Sequence, residues 1–298
     1  MLDWGVALTG LVVGLIVGMT GMGGGALMMP ALVLLFHAQP LAAVSSDVVA
    51  SLIMRPVGAA LHMRRGTANL KLATWLILGS VVPAFAGVVL LRGVAAGARL
   101  QQFVTLAVGV ALLLVAAGFI VRPWILRFRP QRDGAPVEVK PIPTLLVGVF
   151  GGLICGTTSI GSGSLMMILL LLLYPRLRLA ELVGTDLVQA APLLASAALG
   201  HVLFGHVDIG LTASIVVGGI PGIYVGARIS SRAPEHIIRP ALVIVLFGTG
   251  LKMVGVHTPL LLGIVAVGLV LGVASIVAAE HRAARIREES AETSAPCQ

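Results

Sequence analysis

The sequence predicts an all-α polytopic membrane protein made of two repeats with inverted topology. Each repeat opens with a glycine-broken or re-entrant hairpin, and about seven full spans accompany the two hairpins. Three observations carry this reading: an extreme composition, a glycine-rich signature that occurs twice, and an uneven distribution of basic residues.

Composition sets the class. Of 298 residues, 58% are hydrophobic and only 11% are charged, and the mean hydropathy is +1.05. Soluble domains carry about 25% charged residues. A soluble core has no room for so much apolar surface, whereas a bilayer solvates it directly. So low a charge also argues against disorder. The net charge of +8 suggests nucleic acid at first sight, but the basic residues sit in short loops and at segment ends, as the positive-inside rule requires. The lipid bilayer is therefore the expected partner, and nucleic acid is not. Cys155 and Cys297 lie in an apolar segment and in the polar tail, too far apart in kind to form a disulfide framework or a metal site. Met1-Leu2-Asp3-Trp4 lacks the basic start of a signal peptide, so the first apolar segment is expected to be retained.

The repeat is read from special residue types. Gly18, Gly23, Gly25, Leu27, Met28 and Met29 match Gly156, Gly161, Gly163, Leu165, Met166 and Met167. The offset, 156 − 18, is 138 residues. Gly10 and Gly14 pair with Gly148 and Gly152 at the same offset. Further along the offset is one longer: Ser46-Asp47 pairs with Thr185-Asp186, His62 with His201, Gly66 with Gly205, Asn69 with Asp208 and Gly87 with Gly226. Duplication with one inserted residue accounts for all of these.

Apolar segments fall near 4–20, 25–37, 43–62, 70–91 and 101–121 in the first repeat. The second repeat gives 143–158, 164–174, 182–203, 208–229 and 237–255, with a final segment near 259–279. The expected organisation is repeat one over 1–121, a cytoplasmic linker over 122–142 and repeat two over 143–255. An extra transmembrane helix over 256–279 and a polar cytoplasmic tail over 280–298 complete it. A helical span takes about 20 residues, so the first two segments of each repeat read as half-helices joined at the break. Loop charge then sets orientation. Arg64, Arg65 and Lys71, the linker's Arg122, Arg127, Arg129, Arg132 and Lys140, and the tail's Arg282, Arg285 and Arg287 can all be cytoplasmic. Arg176, Arg178, Arg228, Arg232 and Arg239 join them, which puts the loop after His201 opposite to the loop after His62. The halves are thus expected to be inverted, a design common among secondary transporters. Arg92 and Arg99 fall on the outer side.

The breaks are the expected site. Thr20-Gly21-Met22-Gly23-Gly24-Gly25 holds four glycines in five residues, each costing a helix about 1 kcal/mol relative to alanine. Irregular backbone at membrane depth persists only where it is buried in protein or lines a watery cavity. A broken helix turns free N–H groups and its positive dipole end toward the gap, which suits an anion. The second break, with Thr157, Thr158, Ser159, Gly161, Ser162, Gly163 and Ser164, adds hydroxyl donors. The ladders Gly10/Gly14/Gly18 and Gly148/Gly152/Gly156 read instead as close helix packing. Asp47 and Asp186 recur within apolar stretches, where a carboxylate usually faces a cavity on an ion or proton path. They read equally as N-caps of the third helix of each repeat. Arg55 has no counterpart in repeat two, where Leu194 stands. It could attract an anionic substrate, pair with Asp47, or snorkel to the interface. His62 and His201 are expected to make interfacial hydrogen bonds rather than bind metal, because no third ligand clusters with them. Cys155 reads as a small buried hydrophobe. No nucleophile–base constellation, P-loop or metal-ligand spacing occurs, so neither enzyme chemistry nor a cofactor is expected.

These residues resemble a known family. The run from Gly14 to Pro30, with Gly23-Gly24-Gly25, the stretch Val183-Gly184-Thr185-Asp186-Leu187 and the segment from Gly218 to Gly226 are similar to the TauE/SafE sulfite exporter family, also called TSUP or DUF81-type permeases. The resemblance covers roughly residues 5–278, and the paired signatures are specific together and weak singly. It implies transport of sulfite, organosulfonates or other small sulfur-containing anions across the bacterial inner membrane. The chain departs from the family's usual pattern at Ser45-Ser46-Asp47, where Gly-Thr-Ser/Asp is usual, and at Gln189, where histidine is often found. The expected substrate contacts are Thr20, Gly21, Gly23, Gly24, Gly25, Arg55, Thr157, Thr158, Ser159, Gly161, Ser162 and Gly163, with Asp47, Asp186 and Gln189 coupling a proton or cation. The alternatives are a passive channel or facilitator for a small solute, and a membrane component that delivers sulfur to a partner.

Overall fold

A computed structural model describes residues 2–20, 23–64, 68–94, 97–127, 138–175, 177, 179–229 and 235–256. Gly21, most of the linker loop, the final apolar segment and the tail lie outside the described residues, as do the side chains of His62, Arg64 and Arg92. The described residues form ten helices. The first half of the sequence gives α1 (Trp4–Thr20), α2 (Gly25–Leu34), α3 (Pro40–Arg64), α4 (Leu70–Val94) and α5 (Ala98–Arg127). The second half gives α6 (Pro141–Thr158), α7 (Ser164–Leu173), α8 (Leu179–Phe204), α9 (Ile209–Ile229) and α10 (Glu235–Val254).

Five stretches among the described residues are long and apolar enough to cross a bilayer: Leu70–Leu91, Ala98–Val121, Pro141–Thr158, Glu181–Phe204 and Ile209–Ile229. One of them, α6, was expected to be a half-helix. Its 18 residues reach about 27 Å at 1.5 Å per residue, close to the thickness of the hydrocarbon core. The 10-residue helices α2 and α7 are too short to span and complete the two breaks as expected.

Capping explains where two of the long helices begin. The Leu72 N–H donates to Asn69 Oδ1 at 3.1 Å ahead of α4, and the Leu211 N–H donates to Asp208 Oδ1 at 3.1 Å ahead of α9. Each cap satisfies an amide that lipid could not.

Helix directions follow from which residues meet. A Cβ built on Gly10 would lie 3.1 Å from the Ile215 carbonyl, and those on Gly14 and Gly18 would meet Gly219 and Ile223 in turn, so α1 and α9 run parallel. In the same way Gly148 would meet Leu76 at 2.8 Å, Gly152 would meet Ser80 and Gly156 would meet Ala84, so α6 and α4 run parallel. The glycine ladders are therefore backbone-to-backbone seams, as small residues permit in lipid. By contrast α3 and α8 are antiparallel. The Asp208 N–H, just after α8, donates to Ser46 Oγ near the start of α3 at 3.0 Å, while the Asn69 N–H, just after α3, donates to Thr185 Oγ1 near the start of α8 at 3.0 Å. Gly109 meets Met253 while Leu113 meets Gly250, which makes α5 and α10 antiparallel as well.

Candidate functional site

Helix α3 carries the polar core of the site. Asp47, Ser51 and Arg55 recur at every fourth residue and so share one helix face. All three are buried, Asp47 at 1% and Arg55 at 8% exposure. Both aspartates lie well inside their helices, because α3 starts at Pro40 and α8 at Leu179. The N-cap reading of Asp47 and Asp186 is therefore corrected: neither carboxylate caps the start of its own helix.

Arg55 is fixed by groups from the other half of the chain. Its Nη2 donates to the Ser162 carbonyl, and its Nη1 lies 3.9 Å from Asp186 Oδ2. Its carboxylate partner is thus Asp186 rather than Asp47, and its burial excludes snorkelling. Asp186 also accepts from Gln189 Nε2 at 3.0 Å and from the Gly163 backbone N–H. That amide stands at the N-terminus of α7, so the positive helix end at the second break already faces an internal carboxylate.

Asp47 points at the second break too. Its Oδ2 accepts from Ser159 Oγ at 2.6 Å, a short charge-assisted bond. Ser159 ends α6 in the left-handed region, with φ 61° and ψ −5°, a conformation that costs a non-glycine residue about 1–2 kcal/mol. The turn is supported by the Ile160 N–H, which donates to Thr158 Oγ1 at 3.1 Å.

The first break presses directly on this turn. A Cβ on Gly23 would fall on the Ser162 carbonyl and on Arg55 Nη2, and a Cβ on Gly25 would fall on the Ser159 carbonyl with Asp47 Oδ2 at 3.1 Å. Gly24 has only Val17 Cγ2 near, at 4.0 Å. The two breaks thus touch, and Arg55 bridges them.

Beside this contact lies a cavity of about 30 Å³ between α1, α3 and α9, with Asp47, Ser51, Arg55 and Gly24 among its lining residues. Asp47 Oδ1 and Arg55 Nη1 have no hydrogen-bond partner among the described residues, and neither does Gln189 Oε1.

Other expected contacts lie elsewhere. Thr157 and Thr158 return their hydroxyls to carbonyls of their own helix at Leu153 and Ile154, and Thr20 does the same at Ile16. Gly161 packs on α6 at Gly151 and Cys155. Ser162 Oγ accepts from Cys155 Sγ at 3.6 Å. His201 is wholly buried rather than interfacial. Its Nε2 donates to the Gly156 carbonyl at 2.9 Å, and its Nδ1 meets Ser45 Oγ at 3.0 Å. Two residues were not among the expected site residues: Ser45, read only as part of the Ser45-Ser46-Asp47 stretch, and Ser51. The four-residue step from Asp47 through Ser51 to Arg55 was the signal that could have found the second.

The family model described as Sulfite exporter TauE/SafE matches residues 6–253 of this chain. The chain belongs to the TauE/SafE sulfite exporter family. Among curated relatives of this TauE/SafE chain, the probable membrane transporter protein YjnA of Bacillus subtilis (strain 168) is 37% identical over 252 residues, covering 84% of this chain and 98% of the relative. The probable membrane transporter protein YdhB of the same organism is 28% identical over 243 residues, covering 80% and 94%. No solved structure matches significantly. Membership of TauE/SafE, together with the five membrane-length apolar helices among the described residues, makes this a membrane protein of a transporter family.

Proposed function

We propose that this protein is a secondary transporter of the cell inner membrane for small sulfur-containing anions such as sulfite or organosulfonates, driven by an ion gradient through alternating access. The observation that carries the reading is Arg55, a buried guanidinium on the first repeat held by the second break's carbonyl and by Asp186. An anion entering between the breaks would find there a cation whose Nη1 makes no hydrogen bond among the described residues.

Charge accounting supports coupling. One cation faces two buried carboxylates, so an entering anion adds negative charge to a cluster that is already negative. In a low-dielectric site an uncompensated charge costs several kcal/mol. Substrate therefore enters with a proton or cation, for which Asp47 and Asp186 are the available acceptors. Alternating access rests on the inverted-repeat reading. Its support is that counterpart helices α3 and α8 run antiparallel, while the α1–α9 and α6–α4 seams repeat the same contacts at the sequence offset. Two such halves can rock about contacts near Arg55.

The test is uptake and efflux of labelled sulfite by proteoliposomes under an imposed proton or sodium gradient. Saturable, gradient-dependent flux lost in Arg55→Leu is expected. Flux indifferent to every gradient would favour a passive facilitator, and no flux of any sulfur anion would overturn the transport reading.

A further inference from the structure

Asp47 and Asp186 stand at matching places in the two halves of the sequence, yet only one of them has its charge met. Asp186 has Arg55 Nη1 at 3.9 Å, Gln189 Nε2 at 3.0 Å and the Gly163 N–H. Asp47 has the Ser159 hydroxyl on Oδ2, and its Oδ1 has no hydrogen-bond partner among the described residues. Part of the difference is written in the sequence. The offset between the aspartates, 186 − 47, is 139 residues, and at that offset Gln189 corresponds to Ala50, whose buried side chain has no donor. Neighbouring charged and titratable groups do not fill the gap. Arg55 shares a face of α3 with Asp47 but is committed to the Ser162 carbonyl and to Asp186. Cys155 on α6 turns to Ser162 Oγ, and His201 on α8 meets Ser45 and the Gly156 carbonyl. Toward Asp47, α2 and α9 present glycine and apolar residues.

An ionised Asp47 keeps its bond from Ser159 but leaves Oδ1 bare, and a bare anionic oxygen is costly in a low-dielectric interior. Space limits what can relieve it. Asp47 is 1% exposed and Oδ1 offers no surface to a water-sized probe, so neither water nor a hydrated cation meets it in this arrangement. A bare metal ion needs several ligating groups at once, and no cluster of three or more His, Cys, Asp or Glu side chains among the described residues could hold one. A proton needs no volume, and it turns the anionic oxygen into a neutral one. We infer that the coupling ion is a proton and that Asp47 is its seat, while Asp186 stays ionised as the fixed counter-ion of Arg55. The inference rests on the transport reading above and deepens it by naming the ion and dividing the two aspartates. It also ties the proton to movement. Contact between the breaks shields Asp47 and favours proton uptake, whereas parting α3 from the second break lets water reach Oδ1 and take the proton away.

One arm of the test needs no substrate. For the full-length protein in detergent, infrared difference spectra between neutral and mildly acidic pH should show a protonated aspartic C=O band gained on acidification. Asp47→Asn should lose that band and Asp186→Asn should keep it. Ser159→Ala removes the hydrogen bond on Oδ2 and should shift the band's frequency, which reports on Asp47 even where Asp47→Asn fails to fold. A wild-type protein without the band, a band that follows Asp186 in place of Asp47, or one that Ser159→Ala leaves unmoved overturns the inference whether or not sulfite is carried. The other arm is flux of labelled sulfite in proteoliposomes. In the wild-type protein an inward proton gradient should drive uptake above the exchange seen at equal pH, and a sodium gradient should not. In Asp47→Asn the ratio of gradient-driven to exchange flux should fall to parity, whereas a purely structural role would lower both and keep their ratio. Uptake driven by sodium in place of protons overturns the inference and leaves the transport reading standing. Absence of sulfite flux overturns the transport reading, and the infrared arm then still decides where the proton sits.

Discussion

The two breaks occupy corresponding places in the sequence, yet they contribute opposite things to the site. The first, Gly23 to Gly25, contributes space. Gly24 sits in ordinary right-handed geometry at φ −64°, and Gly23 and Gly25 are glycine because carbonyls of the second break fill the volume a side chain would need. The second break contributes groups: the carbonyls of Ser159 and Ser162, the hydroxyl of Ser159 and the amide of Gly163. The third helices diverge in the reverse sense. The α3 face reads Asp47, Ser51, Arg55, whereas the corresponding α8 positions are Asp186, Ala190 and Leu194. Each half therefore supplies what the other lacks. A site shared in this way is sensitive to the relative position of the halves, as the proposed alternating access would require.

The largest effect should come from erasing the helix-face difference. Arg55→Leu installs the residue that repeat two carries at Leu194. It removes the partner of a buried carboxylate, which costs about 3–5 kcal/mol, and it should abolish anion flux. Adding Asp186→Asn removes the stranded charge, so apparent melting temperature in detergent should recover in the double variant while flux does not. Recovery of flux would show that Arg55 serves only to neutralise Asp186.

Next in size is the steric division within the first break. Gly23→Ala and Gly25→Ala push a methyl group into backbone carbonyls that have no rotamer to escape by, and overpacking of this kind costs about 1–3 kcal/mol. Gly24→Ala, one residue from each, should change stability by less than about 0.5 kcal/mol. Thermal melts of the three variants check this, and equal losses would mean that the breaks do not touch as described.

These cases also show what could be read in advance. The paired breaks, the buried aspartates and the unmatched Arg55 are visible in sequence because glycine runs and intramembrane charges are costly and so stand out. The helix segments are visible because apolar length is the dominant signal. What stayed hidden is pairing across the halves. Asp186 lies far from Arg55 in sequence, and no local pattern says which carboxylate an arginine will meet. The N-cap reading failed for a related reason: Ser45-Ser46-Asp47 has capping chemistry, but α3 begins earlier, at Pro40, a residue suited to a first turn. The serines turn instead to the other half, Ser45 to His201 and Ser46 to Asp208.

A smaller effect, the difference between two variants at Ser159, tests the second break's turn. Ser159→Ala loses the bond to Asp47, worth about 1.5–3 kcal/mol to a charged acceptor, and keeps a side chain at positive φ. Ser159→Gly loses the same bond but relieves the left-handed backbone, a gain of about 1–2 kcal/mol. The expected order of melting temperature is wild type, then Ser159→Gly, then Ser159→Ala. An alanine variant as stable as the glycine variant would mean that the turn relaxes out of the left-handed region.

The smallest effects belong where the halves agree. Ser46 and Thr185 are counterparts in sequence, and each accepts an N–H at 3.0 Å from the residue just beyond the facing third helix, Asp208 and Asn69 respectively. Ser46→Ala and Thr185→Val should each cost about 0.5–1.5 kcal/mol and leave substrate preference unchanged, since neither residue lines the cavity. Ser46 also donates to the Asp208 carbonyl at 3.2 Å, so its loss should be the greater by a few tenths. Near-equal shifts in melting temperature would mark these contacts as the symmetric frame within which the asymmetric site is held. A loss confined to one of them would mean that the frame itself is asymmetric, and that the division of labour between the breaks extends to the ends of α3 and α8.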